Sequence, residues 1–209
     1  MSKLPPAAIT PLFVTELYSA RLSARPDFAI WLEDLDDTCR AFADEDEAGQ
    51  TWSQTKGYLG YTSYASLPDL PARASVFSDL KTLLDAHVAA FADTLDFDLG
   101  GEKLKLDSMW INILEPMGHH SGHIHPRSIL SGTFYVHVPD GASALRLEDP
   151  RLPMMMNAPL RKPGRPEHQS FVPVQPQTGD LLMWESWLRH EVPINMSEDV
   201  RISVSFNYG

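Results

Sequence analysis

RISVSFN, residues 201–207, is the stretch whose reading decides the fold. Consecutive side chains of a strand point to opposite faces. Ile202, Val204 and Phe206 therefore share one face, and Arg201, Ser203, Ser205 and Asn207 share the other. One face is apolar; the other is a polar row headed by an arginine. Two settings satisfy this pattern. At an exposed sheet edge the polar row is solvated surface. Inside a barrel it lines a cavity, and Arg201 becomes an anchor for an anion.

Working back from residue 201, the same period of two recurs. KLKLDSMWINILEP (Lys103 to Pro116) reads as one long strand or two joined ones, ILSGTFYVHVP (Ile129 to Pro139) as another, and SALRLED (Ser143 to Asp149) as a third after an Asp-Gly turn. SFVPV, GDLLMWES and HEVPI follow, each bounded by Pro, Gly or Asn. About seven short strands of this kind predict a β-sandwich or barrel. Before Gly100-Gly101 the period is helical. Phe28, Leu32, Leu35, Cys39 and Phe42 form one stripe of a helix from about Pro26 to Phe42. Pro26 suits its first turn, and the acidic run DEDEAGQ ends it. A second helix, from about Ser75 to Leu95, buries Phe77, Leu80, Leu84, Val88, Phe91 and Leu95, with His87 beside that stripe as a packed or surface histidine. TWSQTKGYLGYTSYASLPDLP, between the helices, reads as an irregular connection. There is no internal repeat. The expected layout is a single domain over 1–209: a helical part over 1–100 packed on a β-barrel core over 101–209.

Composition narrows the function classes. Apolar residues make up 43% and charged residues 22%, as in ordinary globular chains. The formal net charge of −11 argues against a nucleic-acid sleeve or an anionic membrane surface as partner, since both need a clustered basic face. The richest basic run, RKPGRPEH (Arg161 to His168), is a loop: solvated surface, or a substrate lid. No stretch suits a transmembrane helix, and MSKLPPAAITPLF has no apolar core of a signal peptide. The single cysteine, Cys39, reads as an inert core residue and fits a cytoplasmic location.

The chemistry gathers in GHHSGHIHPRSILSG, residues 118–132, which holds four of the eight histidines. His123 and His125, two apart on a strand, share a face and can converge on one ion. His190, just after a strand, is the candidate third ligand. Neutral imidazole suits Fe, Ni, Cu or Zn. His119 and His120, next to Gly118, read as rim neighbours of such a site or as idle surface histidines. Trp110, Tyr135 and Met154 to Met156 could shape a pocket, or be core or surface.

These phrases carry a resemblance. HIHPRSILSGTFYV, EDPR, SWLRH and RISVSFN occur in the order and spacing of a bacterial and phage branch of the iron(II)- and 2-oxoglutarate-dependent oxygenases. The resemblance spans roughly Trp52 to Asn207 and is faint in the helical first quarter. It implies a mainly β fold with N-terminal α-helices, the core being a double-stranded β-helix (a jelly-roll, cupin-like barrel). It implies Fe(II) and 2-oxoglutarate as cofactors, and oxidation of a substrate coupled to decarboxylation of 2-oxoglutarate to succinate. His123 and His190 would be metal ligands. Arg201 would pair with the distal carboxylate of 2-oxoglutarate, assisted by Ser203, because the guanidinium fork fits a carboxylate. Asn112, on the preceding strand, would be a further co-substrate hydrogen-bond donor. The substrate, a small molecule or peptide, is not readable from the sequence, and the oligomeric state, a homodimer included, stays open.

One position departs from the family pattern, which places a carboxylate where this chain has His125. Three neutral histidines would leave a divalent ion with its full charge of +2, whereas a carboxylate would reduce it to +1. His125 either ligates in this unusual role or leaves a vacant position; Glu148 and Asp149 are the replacement carboxylates to consider, although Asp149-Pro150-Arg151 reads as a structural turn. Two other readings stay open: a cupin-type metal dioxygenase, and a barrel that binds metal or ligand without turnover. Arg201 discriminates, since only the oxygenase requires it.

Overall fold

A computed structural model describes residues 7–151, 156–157 and 159–209, so Met154 and Met155 of the methionine run lie outside the described residues. The elements in chain order are β1 (Tyr18–Arg21), α1 (Phe28–Glu45), α2 (Glu47–Thr55), β2 (Gly60–Thr62), α3 (Leu70–Arg73), α4 (Ser75–Thr94), β3 (Leu106–Leu114), β4 (His120–His123), β5 (Leu130–His137), β6 (Leu145–Glu148), β7 (Phe171–Val174), β8 (Asp180–Glu185), β9 (His190–Val192) and β10 (Arg201–Tyr208). The strands form two antiparallel sheets. Six are ordered β1-β8-β5-β10-β3-β2 and four are ordered β4-β9-β6-β7. This is the double-stranded β-helix.

The decisive strand, β10, lies in the middle of the larger sheet between β3 and β5. That position settles the choice its pattern left open. Its apolar row, Ile202, Val204 and Phe206, is buried in one cluster with Trp31, Leu35, Phe77, Leu80 and Phe91 of the helices. The helices therefore cover the outer face of the larger sheet, and burial of both surfaces drives their association. The polar row faces inward, between the sheets. A second, smaller cluster built on Tyr135, Leu145, Leu182 and Trp184 closes part of that interior.

Several sequence-based expectations shift. Pro26 lies in the turn before α1, which starts at Phe28 and runs to Glu45. The acidic run is a junction as well as a stop: Asp46 accepts a hydrogen bond from the Gly49 amide at 3.0 Å and so caps α2. The same carboxylate accepts from the Tyr61 hydroxyl and from Ser66. Much of the connection read as irregular is therefore ordered, because it contains the end of α2, all of β2 and the start of α3. Strand β1, in a stretch with no strand signal, pairs with β8 at the edge of the larger sheet. No described helix is long and apolar enough to cross a membrane.

Candidate metal centre

The site lies between the sheets and draws on both. On the smaller sheet β4 pairs antiparallel with β9, in a register that sets His123 directly opposite His190. His125 lies two residues beyond the end of β4, not on it as the spacing predicted. Its place is fixed by its amide, which donates to the Ser186 carbonyl at 3.0 Å. The three rings converge all the same. Their ligating nitrogens lie within 4.8 Å of one another, and Nε2 of His125 is 3.3 Å from Nε2 of His190. Two nitrogen donors, each about 2.1 Å from one ion, are separated by this order of distance.

The backbone presets two of the rings. His123 Nδ1 donates to the Ser121 carbonyl at 2.7 Å, and His190 Nδ1 donates to the Leu188 carbonyl at 2.9 Å. A carbonyl can only accept, so the proton of each neutral ring sits on Nδ1 and the Nε2 lone pair is left free to ligate. Burial keeps the His125 and His190 rings neutral. Desolvation, reinforced by His123, lowers His190 to about 3 and His125 to about 4. No proton therefore competes for the His125 and His190 lone pairs near neutrality.

The residues expected to bind a co-substrate lie on the inward face of the larger sheet. Ser203 is in register with Asn112 of β3 and Tyr135 of β5, and Ser205 with Thr133. Arg201 heads this face and is 2% exposed. It makes no ion pair among the described residues, and its Nε has no hydrogen-bond partner. The Tyr135 hydroxyl and the Trp184 indole N–H are unpartnered too, and all three residues line one cavity of about 60 Å³ with Asn112, Ser203 and the histidines. Buried polar groups are nearly always satisfied, so three orphans around one small cavity describe a place shaped for a polar guest. A buried guanidinium makes that guest an anion. The residues present therefore fit both groups that the resemblance implies: a divalent ion on three neutral imidazoles, and a carboxylate at Arg201.

Outside the histidines the cavity continues into a chamber of about 390 Å³, and Trp110, Asn112, His120, His123 and His125 line both spaces. His119 is on the rim of this chamber, as expected. His120 is not a rim residue: it lines the inner cavity, and its Nε2 pairs with the Tyr58 hydroxyl at 2.9 Å. Tyr58 had no sequence signal, because it sits in the stretch read as irregular. Thr133 and Tyr135 had one, in the alternation of ILSGTFYV. The replacement carboxylates are engaged elsewhere, Glu148 with Arg189 at 2.7 Å and Asp149 with Arg151 at 2.8 Å. The Asp149 side chain also accepts from the Arg151 amide, which makes the turn. Arg165 and His168 of the basic loop line a separate groove, apart from the metal centre. Cys39 is fully buried and burial pushes its thiol up, the inert state expected of it. His87 packs, with its Nδ1 2.7 Å from the Tyr18 hydroxyl.

The model of the family described as "Putative 2OG-Fe(II) oxygenase" matches residues 108–207, the span that carries every one of these site residues except Tyr58. The match covers just under half of the chain and supports its membership of the 2OG-Fe(II) oxygenase superfamily. The match favours the oxygenase reading over the cupin-type and non-catalytic alternatives. The chain is also similar in fold to solved structures. The epimerase SnoN of nogalamycin biosynthesis shares 15% identity over 93% of this chain and 78% of its own, with a TM-score of 0.63. HygX from Streptomyces hygroscopicus, solved with nickel and 2-oxoglutarate bound, shares 16% over 93% and 82%, with a TM-score of 0.58. A prolyl-4-hydroxylase from Pseudomonas putida shares 15% over 93% and 92%, with a TM-score of 0.57. At such identities the likeness is one of fold. No curated protein matches the oxygenase in sequence.

Proposed function

We propose that this oxygenase holds Fe(II) on His123, His125 and His190, binds 2-oxoglutarate between that ion and Arg201, and oxidises a small molecule. The observation that carries the reading is Arg201: a guanidinium sealed inside the barrel, without a counter-ion among the described residues, facing the cavity that the three histidines close. A charge is retained in such a place when a partner of opposite charge arrives to neutralise it.

Each residue has a task that follows from its surroundings. Arg201 supplies two parallel N–H donors to the distal carboxylate. Ser203, in register beside Tyr135, adds a hydroxyl. Asn112 has one amide N–H committed to the Ser205 hydroxyl at 3.1 Å and offers its other amide atoms to the cavity. His123 and His190 enter with their tautomers set, so little reorganisation is needed when the metal binds. The buried walls of the cavity exclude water. When bound, the iron and 2-oxoglutarate together supply the oxidising equivalents, with succinate and carbon dioxide as co-products.

His125 completes the set in place of a carboxylate. Three neutral donors leave the divalent charge to be balanced by the dianionic co-substrate, so metal and 2-oxoglutarate bind as a mutually dependent pair. The test is anaerobic. Metal-free protein is loaded with Fe(II) and 2-oxoglutarate, and the weak visible charge-transfer band of the chelate is recorded for the parent and for Arg201→Ala and His125→Ala. A band in the parent that is lost in Arg201→Ala is expected. One bound iron per chain with no band would overturn the 2-oxoglutarate reading, and retention of full iron affinity in His125→Ala would remove His125 from the ligand set.

A further inference from the structure

The chamber outside the histidines is where a substrate of the proposed oxygenase would enter, so its role rests on that reading. It opens directly onto His123 and His125. Charged residues make up 22% of the chain, yet no Asp, Glu, Lys or Arg lines this space. Beside four histidines, its walls carry the rings of Trp52, Tyr58, Tyr64 and Trp110. Asn112 and Asn207 add neutral amides.

Trp110 and Tyr64 form a corner. Their ring centres are 5.2 Å apart and their planes meet at 77°. The Trp110 ring is also 5.8 Å from the His125 ring, so the corner adjoins the metal centre. Trp110 is buried, but Tyr64 is 59% exposed and its hydroxyl has no hydrogen-bond partner among the described residues. A large aromatic left this exposed at a pocket mouth contributes little to the fold and much to whatever enters.

We propose that the part of the substrate that enters this chamber is an uncharged ring with hydrogen-bonding groups at its edge, packed into the corner of Trp110 and Tyr64. A charged group entering here would lose hydration with no counter-ion to replace it. An uncharged ring loses little and gains face and edge contacts with both aromatics, while the amides meet its polar edge. Aromatic rings and sugar rings share this chemistry.

The test uses matched probes on the protein loaded anaerobically with Fe(II) and 2-oxoglutarate. Affinities for 2-phenylethanol (neutral), phenylacetate (anion), phenethylamine (cation) and methyl β-glucopyranoside (neutral sugar ring) are measured by calorimetry. At least one neutral ring is expected to bind tenfold or more tightly than both charged probes, and which one does so separates aromatic from sugar rings. Tyr64→Ala, at an exposed position where the fold tolerates change, should weaken that binding fivefold or more. Tyr64→Lys should shift the phenylacetate-to-phenylethanol preference toward the anion by threefold or more. Equal binding of a charged probe, no binding of any probe, or an unchanged affinity in Tyr64→Ala overturns the proposal. The chelate band recorded in the same samples keeps the two readings apart: its absence alongside preserved probe selectivity sinks the 2-oxoglutarate site and leaves the chamber standing, and the reverse sinks the chamber alone.

Discussion

The guanidinium carbon of Arg201 lies 4.9 Å from the centre of the Tyr135 ring, and both side chains are closed off from solvent. The ring face gives the cation partial relief, worth about 0.5–2 kcal/mol in such settings, far less than the hydration it has lost. Without its co-substrate the barrel therefore carries an unbalanced charge at its centre.

That imbalance makes stability and binding separable at one position. Arg201→Met removes the charge at similar volume. The ligand-free variant is expected to unfold at a higher temperature than the parent, by several degrees, while its 2-oxoglutarate affinity falls by roughly a hundredfold or more through loss of a bidentate charge-assisted pair. Calorimetric melting with and without 2-oxoglutarate checks both halves. A variant less stable than the parent in the ligand-free state would mean that Arg201 is already balanced.

His125 invites a donor exchange. His125→Ala should weaken Fe(II) binding at least tenfold, read by competition against a chromophoric chelator. His125→Asp supplies the carboxylate that the family pattern places here and lowers the net charge on the ion to +1. It should retain the metal but loosen the dependence of metal binding on 2-oxoglutarate, since the ion then needs less neutralisation.

Acid should destabilise the metal-free barrel earlier than its carboxylates alone would. Burial lowers His120 to about 3, His125 to about 4 and His190 to about 3, from an ordinary value of 6.5. Between pH 6.5 and 4 the unfolded chain takes up protons at these rings and the folded chain does not, so stability falls as pH falls through that window and the contribution levels off near pH 3. Urea midpoints at pH 7.5 and 5 should differ in this sense. His120→Gln should shrink the difference, and an equal midpoint at both values would contradict the neutral, buried state of the cluster.

Asn195 holds the routes to the metal centre and to Arg201 together. It is fully buried; its side-chain amide donates to the Leu114 carbonyl at 3.3 Å and the Asp199 carbonyl at 3.2 Å, and its backbone exchanges bonds with Met117 and Gly118 at 2.8 Å each. Leu114, Met117 and Gly118 lead into the histidine segment, and Asp199 leads into Arg201. Asn195→Ala leaves buried carbonyls without a donor and should cost about 2–4 kcal/mol in chemical denaturation.

The legible parts of the sequence were those whose signal is local. The alternation of RISVSFN separated the two faces of β10, and the central place of that strand, with helices over its apolar face, then assigned the polar face to the cavity. The order of His123, His190 and Arg201 could be read against a family pattern. What could not be read is set by distant contacts. His125 converges on its partners through a backbone bond to Ser186, sixty-one positions later, and not through strand periodicity. Asp46 looked like one acid in a terminating run, and only the fold brings Gly49, Tyr61 and Ser66 to it. Tyr58 reaches His120 from a loop whose Gly, Tyr and Ser content concealed the short elements on either side of it.

His190 opens a strand of the four-stranded sheet and Arg201, eleven positions later, opens one of the six-stranded sheet. The separation between the histidine cluster and the guanidinium is thus set by the spacing of two packed sheets, about 10 Å backbone to backbone, which the whole core enforces and no single loop can relax. The barrel works as a gauge. If the proposed site holds, keto diacids one carbon shorter or longer than 2-oxoglutarate should bind more weakly than it does, so that length alone sorts the co-substrate before any chemistry begins.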